Sequence, residues 1–376
     1  MKIGFEAKRA FQNFTGLGNY SRSVMEVLLK YYPDNEYHYY APKNNDNPQL
    51  SFLKNSKNWS IHSPEARLDK FFKSKWRTFG ITKLLENHHI EIFHGLSHEL
   101  PIGIDKAKVK SVVTIHDLIF LRYPENYSPI DRKIYKKKVL HACEQADKII
   151  AISHQTKNDI IEFLAIDEAK IDVVYQTCHR QFTTAVSQEN LSKVMNKYNL
   201  PQDYILSVGT IEKRKNLLNI VKALKIGVID IPLVVIGKET SYAKMVKEVI
   251  GQLELTHQII FIDKVDFKDL PAIYQSSSLF IYPSFFEGFG IPILEALYSK
   301  IPVITTWGGC FEEVGGKETI YINPNSPENI AENINKIISN NNLQEQMKTK
   351  GFEFAQQFNE KAFADNLMNV YKKMLA

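Results

Sequence analysis

YPSFFEGFGIPILEALYSKIPVIT occupies residues 282–305. An apolar run, SLFIYP (278–283), leads into it and stops at Pro283. A glycine-containing loop follows. A helix is predicted over 290–299, with Pro292 suited to its first turn. A second apolar run, PVITT (302–306), comes next. Short, fully apolar strands joined by helical crossovers belong to a parallel sheet covered on both faces.

The same alternation extends in both directions. Upstream in this half, the strands read YILSVG (204–209), PLVVIG (232–237) and QIIFI (258–262), with helices near 215–228, 241–252 and 267–275. The first half holds its own series: KIGF (2–5), EYHYYA (36–41), IEIF (91–94), SVVTI (111–115), KIIAI (148–152) and IDVVY (171–175). Its helices are predicted near 17–31, 78–88, 129–145 and 154–163. Two such series predict an α/β protein of two doubly wound, Rossmann-like domains facing a cleft. Strand character fades over 176–202, which sets the expected boundaries. Residues 1–185 are expected to form the first domain and 186–358 the second, with 359–376 a closing helix. Three helical segments close the chain, at 326–338, 341–357 and 359–375.

Composition agrees with a globular protein and excludes several classes. The chain has 376 residues, 44% apolar and 24% charged, close to globular averages. No apolar run approaches a membrane span, and the charged N-terminus has no signal core. Three scattered cysteines exclude a disulfide framework or a cysteine zinc cluster. A cytoplasmic location is expected. The net charge of +5 arises in residues 1–185, with 27 Lys and Arg against 21 Asp and Glu. The densest stretch, EARLDKFFKSKWRTFGITK (65–83), interleaves Arg67, Lys70, Lys73, Lys75, Arg77 and Lys83 with four aromatics, Trp76 among them. A second run, RKIYKKK, spans 132–138. Basic and aromatic residues together suit an anionic membrane surface. A solvated face with its aromatics turned inward remains open, and nucleic acid is not expected. Lys73, Lys75, Trp76 and Arg77 are the candidate membrane or acceptor face.

Ligands of doubly wound sheets bind outside the carboxyl ends of strands, and four motifs lie there. TGLGNYS (15–21) places Gly16 and Gly18 before a helix, where backbone amides approach a phosphate; a tight structural turn is the other reading. The third glycine of a dinucleotide fingerprint is missing. TIHDL (114–118) puts His116 at a strand end; Asp117 either orients it or caps the next segment. VGTIEKRKN (208–216) sets Arg214 and Lys215 at a helix start, where cations oppose the helix dipole unless an anion such as a diphosphate is bound. In the fourth, Glu287 and Glu295 are separated by seven residues. The loop amides of Phe289, Gly290 and Ile291 suit a phosphate, Glu295 two ribose hydroxyls, and Glu287 the sugar.

EGFGIPILEA resembles the E-x7-E signature of retaining glycosyltransferases of family 4, which have the GT-B fold. The resemblance implies an N-terminal acceptor-side domain over 1–185, a nucleotide-sugar-binding domain over 186–358, and a helix over 359–376 that crosses back to the first domain. The GLGNYSR, TIHDL and SVGTIEKRKNL motifs follow in the family order, and the chain looks most similar to bacterial mannosyltransferases of surface polysaccharide. The resemblance implies donor ribose on Glu295, donor sugar beside Glu287 and diphosphate on Lys215 and Arg214. It also implies phosphate on the Gly290 and Ile291 amides, His116 near sugar and acceptor, and Gly16 and Gly18 beneath the phosphates. Thr210 takes the donor-side position where many members carry arginine, so Arg214 compensates; Asp263 stands where glycine is common. The implied partners are a nucleotide sugar, GDP-mannose above others, and a glycan or polyprenyl-diphosphate-linked saccharide. No cofactor is implied, and the absence of any Asp-x-Asp agrees with metal independence. The alternatives are a UDP-sugar donor on the same fold, or a non-catalytic subunit that binds nucleotide sugar.

Overall fold

The computed structural model describes residues 1–44, 47–66 and 70–376. Arg67 and Asp69 of the basic stretch lie outside the described residues.

The chain divides into two compact units: Met1–Thr177 with Glu360–Ala376, and Cys178–Asn359. The division falls eight residues before the position expected from strand character. Phe182, fully buried, packs on Phe267 and Tyr274 with ring centroids 6.4 and 5.5 Å away. That contact draws the segment after Thr177 into the second unit.

The first unit holds β1 (Lys2–Glu6), β2 (Glu36–Tyr40), β3 (Trp59–His62), β4 (Ile92–Gly95), β5 (Lys110–Ile115), β6 (Lys148–Ala151) and β7 (Ile171–Val173). Their order is β3-β2-β1-β4-β5-β6-β7, and each adjacent pair is parallel. The second unit holds β8 (Ile205–Val208), β9 (Leu233–Ile236), β10 (Ile259–Ile262), β11 (Leu279–Tyr282), β12 (Val303–Thr306) and β13 (Ile320–Ile322). These run β10-β9-β8-β11-β12-β13, also parallel. Both sheets reverse their winding once, between β1 and β4 and between β8 and β11. Such a reversal opens a crevice at the carboxyl ends of the two strands that flank it.

Central strands form where the sequence is continuously apolar. LVVI of β9 and LFIY of β11 are buried at every position. The β8 side of the second sheet is covered by the Leu217–Ile226 and Pro327–Ile338 helices, whose Ile220, Leu224, Ile330 and Ile334 pack with Ile205 and Leu233. Ser326 caps the second of these helices by accepting from Asn329 N–H at 3.2 Å, with Pro327 at its first position.

The terminal helix Glu360–Leu375 belongs to the first unit and lies against the Gly16–Tyr31 helix. Tyr32 donates to Asp365 at 2.6 Å, and Lys30 pairs with Glu360 at 2.6 Å. In the interior, His94 bridges the Tyr371 hydroxyl (2.6 Å) and Thr114 Oγ1 (2.7 Å), and Tyr20 also meets Thr114 at 3.0 Å. A continuous buried polar chain thus joins helix, sheet and tail.

Several elements were not visible in the sequence: edge strands β3 and β13, and helices Lys8–Gln12, Gln188–Lys197 and Cys310–Gly315. The glycine motif also differs from expectation. Gly16 and Gly18 lie in the first turn of the Gly16–Tyr31 helix, not in a loop before it. A Cβ on Gly18 would stand 1.9 Å from the Asn13 carbonyl oxygen, so only glycine permits that approach.

Candidate functional site

The two strongest sequence motifs follow β8 and β11, the strands that flank the winding reversal of the second sheet. After β8, Gly209 adopts φ +149°, and a Cβ there would contact the Lys215 side chain at 3.5–3.8 Å. Thr210 is exposed. A short turn, Lys213–Lys215, ends at Asn216, which has φ +61° and is buried. Its amide donates to the carbonyls of Pro283 (3.2 Å) and Pro324 (2.7 Å). Phe285 N–H donates to Arg214 O at 2.9 Å. These bonds fasten the loop after β8 to the loop after β11.

The fastening brings four charges together. Glu287 Oε1 accepts from Lys215 Nζ at 2.6 Å and from Arg214 Nη1 at 2.7 Å. Arg214 Nη2 also reaches Glu212 Oε1 at 2.6 Å, and its Nη1 donates to Phe286 O. Lys215 Nζ donates to the Tyr282 hydroxyl as well. Burial alone would raise the Glu287 carboxyl, but Lys215 and Arg214 outweigh it and hold the group below its ordinary range. Burial lowers the Lys215 ammonium, with Glu287 opposing. For Arg214, Glu287 and Glu212 overcome burial and raise the guanidinium. The result is a preformed ionic cluster with N–H groups to spare, since an ammonium has three and a guanidinium five.

Eight residues beyond Glu287, Glu295 stands one turn into the Ile291–Tyr298 helix. Gly290 precedes that helix with φ +106°, a conformation that favours glycine. The first intrahelical bonds run from the Ile293 and Leu294 amides to Gly290 O, so the Ile291 amide lies ahead of them at the positive end of the helix. The Phe289 ring is buried and meets Phe358 at 5.9 Å; only its backbone is placed to meet a ligand. Glu295 Oε2 accepts from the Tyr274 hydroxyl at 2.9 Å. Burial pushes the Glu295 carboxyl up to about 7, against that hydrogen bond.

Sequence reasoning missed three contributors. Tyr274 aims Glu295, and Asn216 joins the two loops. The loop after β12, with Gly308 and Gly309 at φ +89° and +61°, brings Cys310 Sγ to donate to Glu287 O at 3.1 Å. A signal existed for two of them: paired glycines after a strand, and an asparagine immediately after the cations.

In the first unit, His116 follows β5 and is buried. Its Nε2 donates to Leu96 O at 2.9 Å, and the Tyr20 ring meets it edge-on at 4.6 Å. Burial, with His98 beside it, pushes His116 down to about 3. It is therefore a neutral ring at physiological pH, with Nδ1 as its acceptor. Asp117 accepts from Ile119 N–H at 3.1 Å, and its charge also acts on His116.

The basic stretch divides. Phe71, Phe72 and Phe79 are 80%, 61% and 55% exposed, Lys75 is exposed and Lys73 half-buried. Trp76, expected on that face, instead is buried among Ile81, Leu85 and Phe93. Arg77, expected beside it, turns inward to Glu99 at 2.6 Å and towards buried Glu6 at 3.7 Å. Ion pairing thus withdraws it from the surface. No helix among the described residues is long and apolar enough to cross a membrane.

Two domain families match the chain. Glycosyltransferase Family 4 covers residues 16–178, and Glycosyl transferases group 1 covers 187–354. The O-antigen chain mannosyltransferase B of Escherichia coli is 29% identical over 294 residues, 77% of this chain and 76% of that one. The O-antigen chain mannosyltransferase RfbU of Salmonella typhimurium is 27% identical over 71% of this chain and 66% of its own length. Among solved structures, Anabaena Alr3699/HepE in complex with UDP and glucose superposes with a TM-score of 0.77 at 16% identity. That superposition covers 99% of this chain and 100% of HepE.

Proposed function

We propose that this chain, a glycosyltransferase with the GT-B fold whose two halves belong to Glycosyltransferase Family 4 and to group 1, transfers mannose from GDP-mannose to a glycan or lipid-linked saccharide during surface-polysaccharide synthesis. The single observation that carries the reading is the cluster of Glu287, Lys215 and Arg214 at the crevice of the second sheet, with Glu295 one helical turn on. The mannose assignment is supported by its similarity to O-antigen chain mannosyltransferases.

The bond that breaks joins the anomeric carbon to a diphosphate oxygen. Negative charge grows on that oxygen, and Lys215, Arg214 and the amides at Gly290–Ile291 stabilise it where it forms. Positive charge grows on the sugar ring, and the ionised Glu287 offsets it. The acceptor hydroxyl attacks the anomeric carbon from the same face, and its proton passes to the departing phosphate oxygen, which retains configuration. No metal takes part in this scheme. Glu295 accepts the two ribose hydroxyls. On the first unit, His116 Nδ1 accepts a hydrogen bond from a saccharide hydroxyl. The first-turn amides at Gly16 and Gly18 contribute further positive potential. The exposed phenylalanines with Lys73 and Lys75 dock on the anionic membrane that carries a polyprenyl-linked acceptor.

A thermal-shift panel tests the donor. GDP and GDP-mannose should raise the melting temperature by mass action, with chelator present or absent, and Glu295→Ala should abolish the shift. Stabilisation by UDP-sugars alone would keep the chemistry and discard mannose. No stabilisation by any nucleotide sugar would discard the donor site itself.

A further inference from the structure

Three histidines of the first unit converge away from every group used above. His38 lies on β2 and His62 on β3, while His88 caps the carboxyl end of the Ile81–Asn87 helix. In the parallel register His38 faces Ser60 and Tyr40 faces His62. Side chains alternate along strands, so Glu36, His38, Tyr40, Ser60 and His62 share one face of the sheet. One ring nitrogen from each histidine lies within 4.8 Å of the others.

We propose that His38, His62 and His88 form a structural site for a divalent cation that prefers imidazole, zinc above others. Three features point there. First, His38 Nδ1, His62 Nε2 and Ser60 Oγ form a nearly regular triangle with sides of 2.9, 3.1 and 3.0 Å. A zinc ion ~2.0–2.1 Å from each corner would sit about 1 Å off that plane, leaving its fourth position for His88, whose ligating nitrogen lies within 4.8 Å of those of His38 and His62. Second, the tautomer of His38 is fixed. Its Nε2 donates to Glu36 Oε1 at 2.9 Å, and a carboxylate only accepts, so Nδ1 turns its lone pair into the triangle. This carboxylate–histidine arrangement is the usual outer support of a metal ligand. Third, the Tyr40 hydroxyl holds His88 Nδ1 at 2.8 Å, and the His62 and His88 rings lie 4.2 Å apart.

The placement also gives the site a purpose. WSIH of β3 is half-buried at all four positions and lacks the apolar run that forms the central strands. A cation held between β2, β3 and the end of a helix would fasten this weak edge. The inference does not depend on the donor reading.

The test uses the full chain, tag-free and stripped of metal. Titration with zinc chloride at pH 7.5 should show one saturable equivalent, and cobalt(II) should develop the visible bands of a four- or five-coordinate site. His62→Asn and His88→Asn should each weaken binding ~tenfold or more. Glu36→Gln, which keeps every ligand, should also weaken it by ~tenfold. His257→Asn, exposed in the second unit, should leave it unchanged. Lack of a one-equivalent phase in the native chain, or equal binding in both histidine variants, overturns the proposal. Should those variants misfold, the cobalt spectrum of the native chain decides: absence of the bands overturns it.

Discussion

If Glu295 holds the donor ribose as proposed, its titration makes donor binding pH-dependent in a calculable way. Burial pushes its carboxyl up to about 7. Two ribose hydroxyls donate to it best when it is ionised, because the protonated acid turns one oxygen into a donor and loses the charge that strengthens both bonds. With a pKa of about 7, roughly one molecule in ten is ionised at pH 6 and about nine in ten at pH 8. The affinity for GDP should therefore improve by up to ~tenfold over that interval through Glu295 alone. The diphosphate titrates nearby, so the control is Glu295→Gln, which keeps the phosphates and removes the side-chain titration. Calorimetric Kd values at half-unit steps from pH 5.5 to 8 give two curves, and their difference is the contribution of Glu295. Tyr274→Phe removes the 2.9 Å hydrogen bond that favours the ionised form. It should move the inflection upward by about one to two units, since a hydrogen bond to a charged group is worth ~1.5–3 kcal/mol. Parallel curves for native and Glu295→Gln protein would refute the reasoning.

The same shift carries a stability signature of opposite sense. The unfolded carboxyl releases its proton near 4.5, while the folded one holds it to about 7. As pH rises through that window the unfolded state gains, and stability falls by up to ~3 kcal/mol above pH 7. The half-buried side chain retains some solvent screening, so the measured loss should be smaller. Glu295→Gln should remove this fall, and a variant that keeps it would refute the assignment to Glu295.

Lys215→Met should lower kcat by ~10²–10³ with a smaller change in KM, because the lost charge acts mainly on the leaving group; equal loss in both parameters would make it a binding residue only. Thr210→Arg adds an exposed cation beside the diphosphate position and should lower KM for the donor several-fold at low salt, an effect that 0.5 M salt erases. Tyr371→Phe leaves His94 Nδ1 without its 2.6 Å partner in the interior. Thermal unfolding should show a loss of ~1–3 kcal/mol, and an unchanged melting temperature would remove the polar chain from the account of stability.

Legibility in the sequence followed the range of the cause. LVVI and LFIY announce central strands because burial on both faces demands apolar residues at every position, a local property. WSIH of β3 and IYI of β13 lie at sheet edges, where half-exposure relaxes that demand and the signal disappears. Glu287 and Lys215 were legible as types at strand ends, but their shared oxygen is a contact across 72 residues that only β8–β11 pairing creates. Trp76 illustrates the converse. Its neighbours are basic and aromatic, which suggested a surface, yet a π-helical turn over Trp76–Gly80 carries it into the core and sends Arg77 to Glu99. The His38, His62 and His88 cluster has no spacing signature, since three elements supply one ligand each.

The charge balance of the cluster separates what it recognises from what it ignores. Arg214 and Lys215 are already matched by Glu212 and Glu287. A carboxylate facing a sugar diphosphate would repel it; here two cations hold that carboxylate ionised while keeping further N–H groups for the phosphates. The cost of gathering these charges is met during folding, so none of it falls on the reaction itself. Diphosphate and ribose are common to GDP-sugars and UDP-sugars, however, and in the proposed reading Lys215, Arg214 and Glu295 address only those parts. Discrimination among bases and hexoses must come from other side chains of the second unit. Asp263 is the first to vary: exposed directly after β10, at the carboxyl end of the same parallel sheet, it stands on the side where strand ends meet ligands. Asp263→Gly changing the GDP-to-UDP preference without altering kcat would place base selection there; an unchanged preference would remove Asp263 from that role.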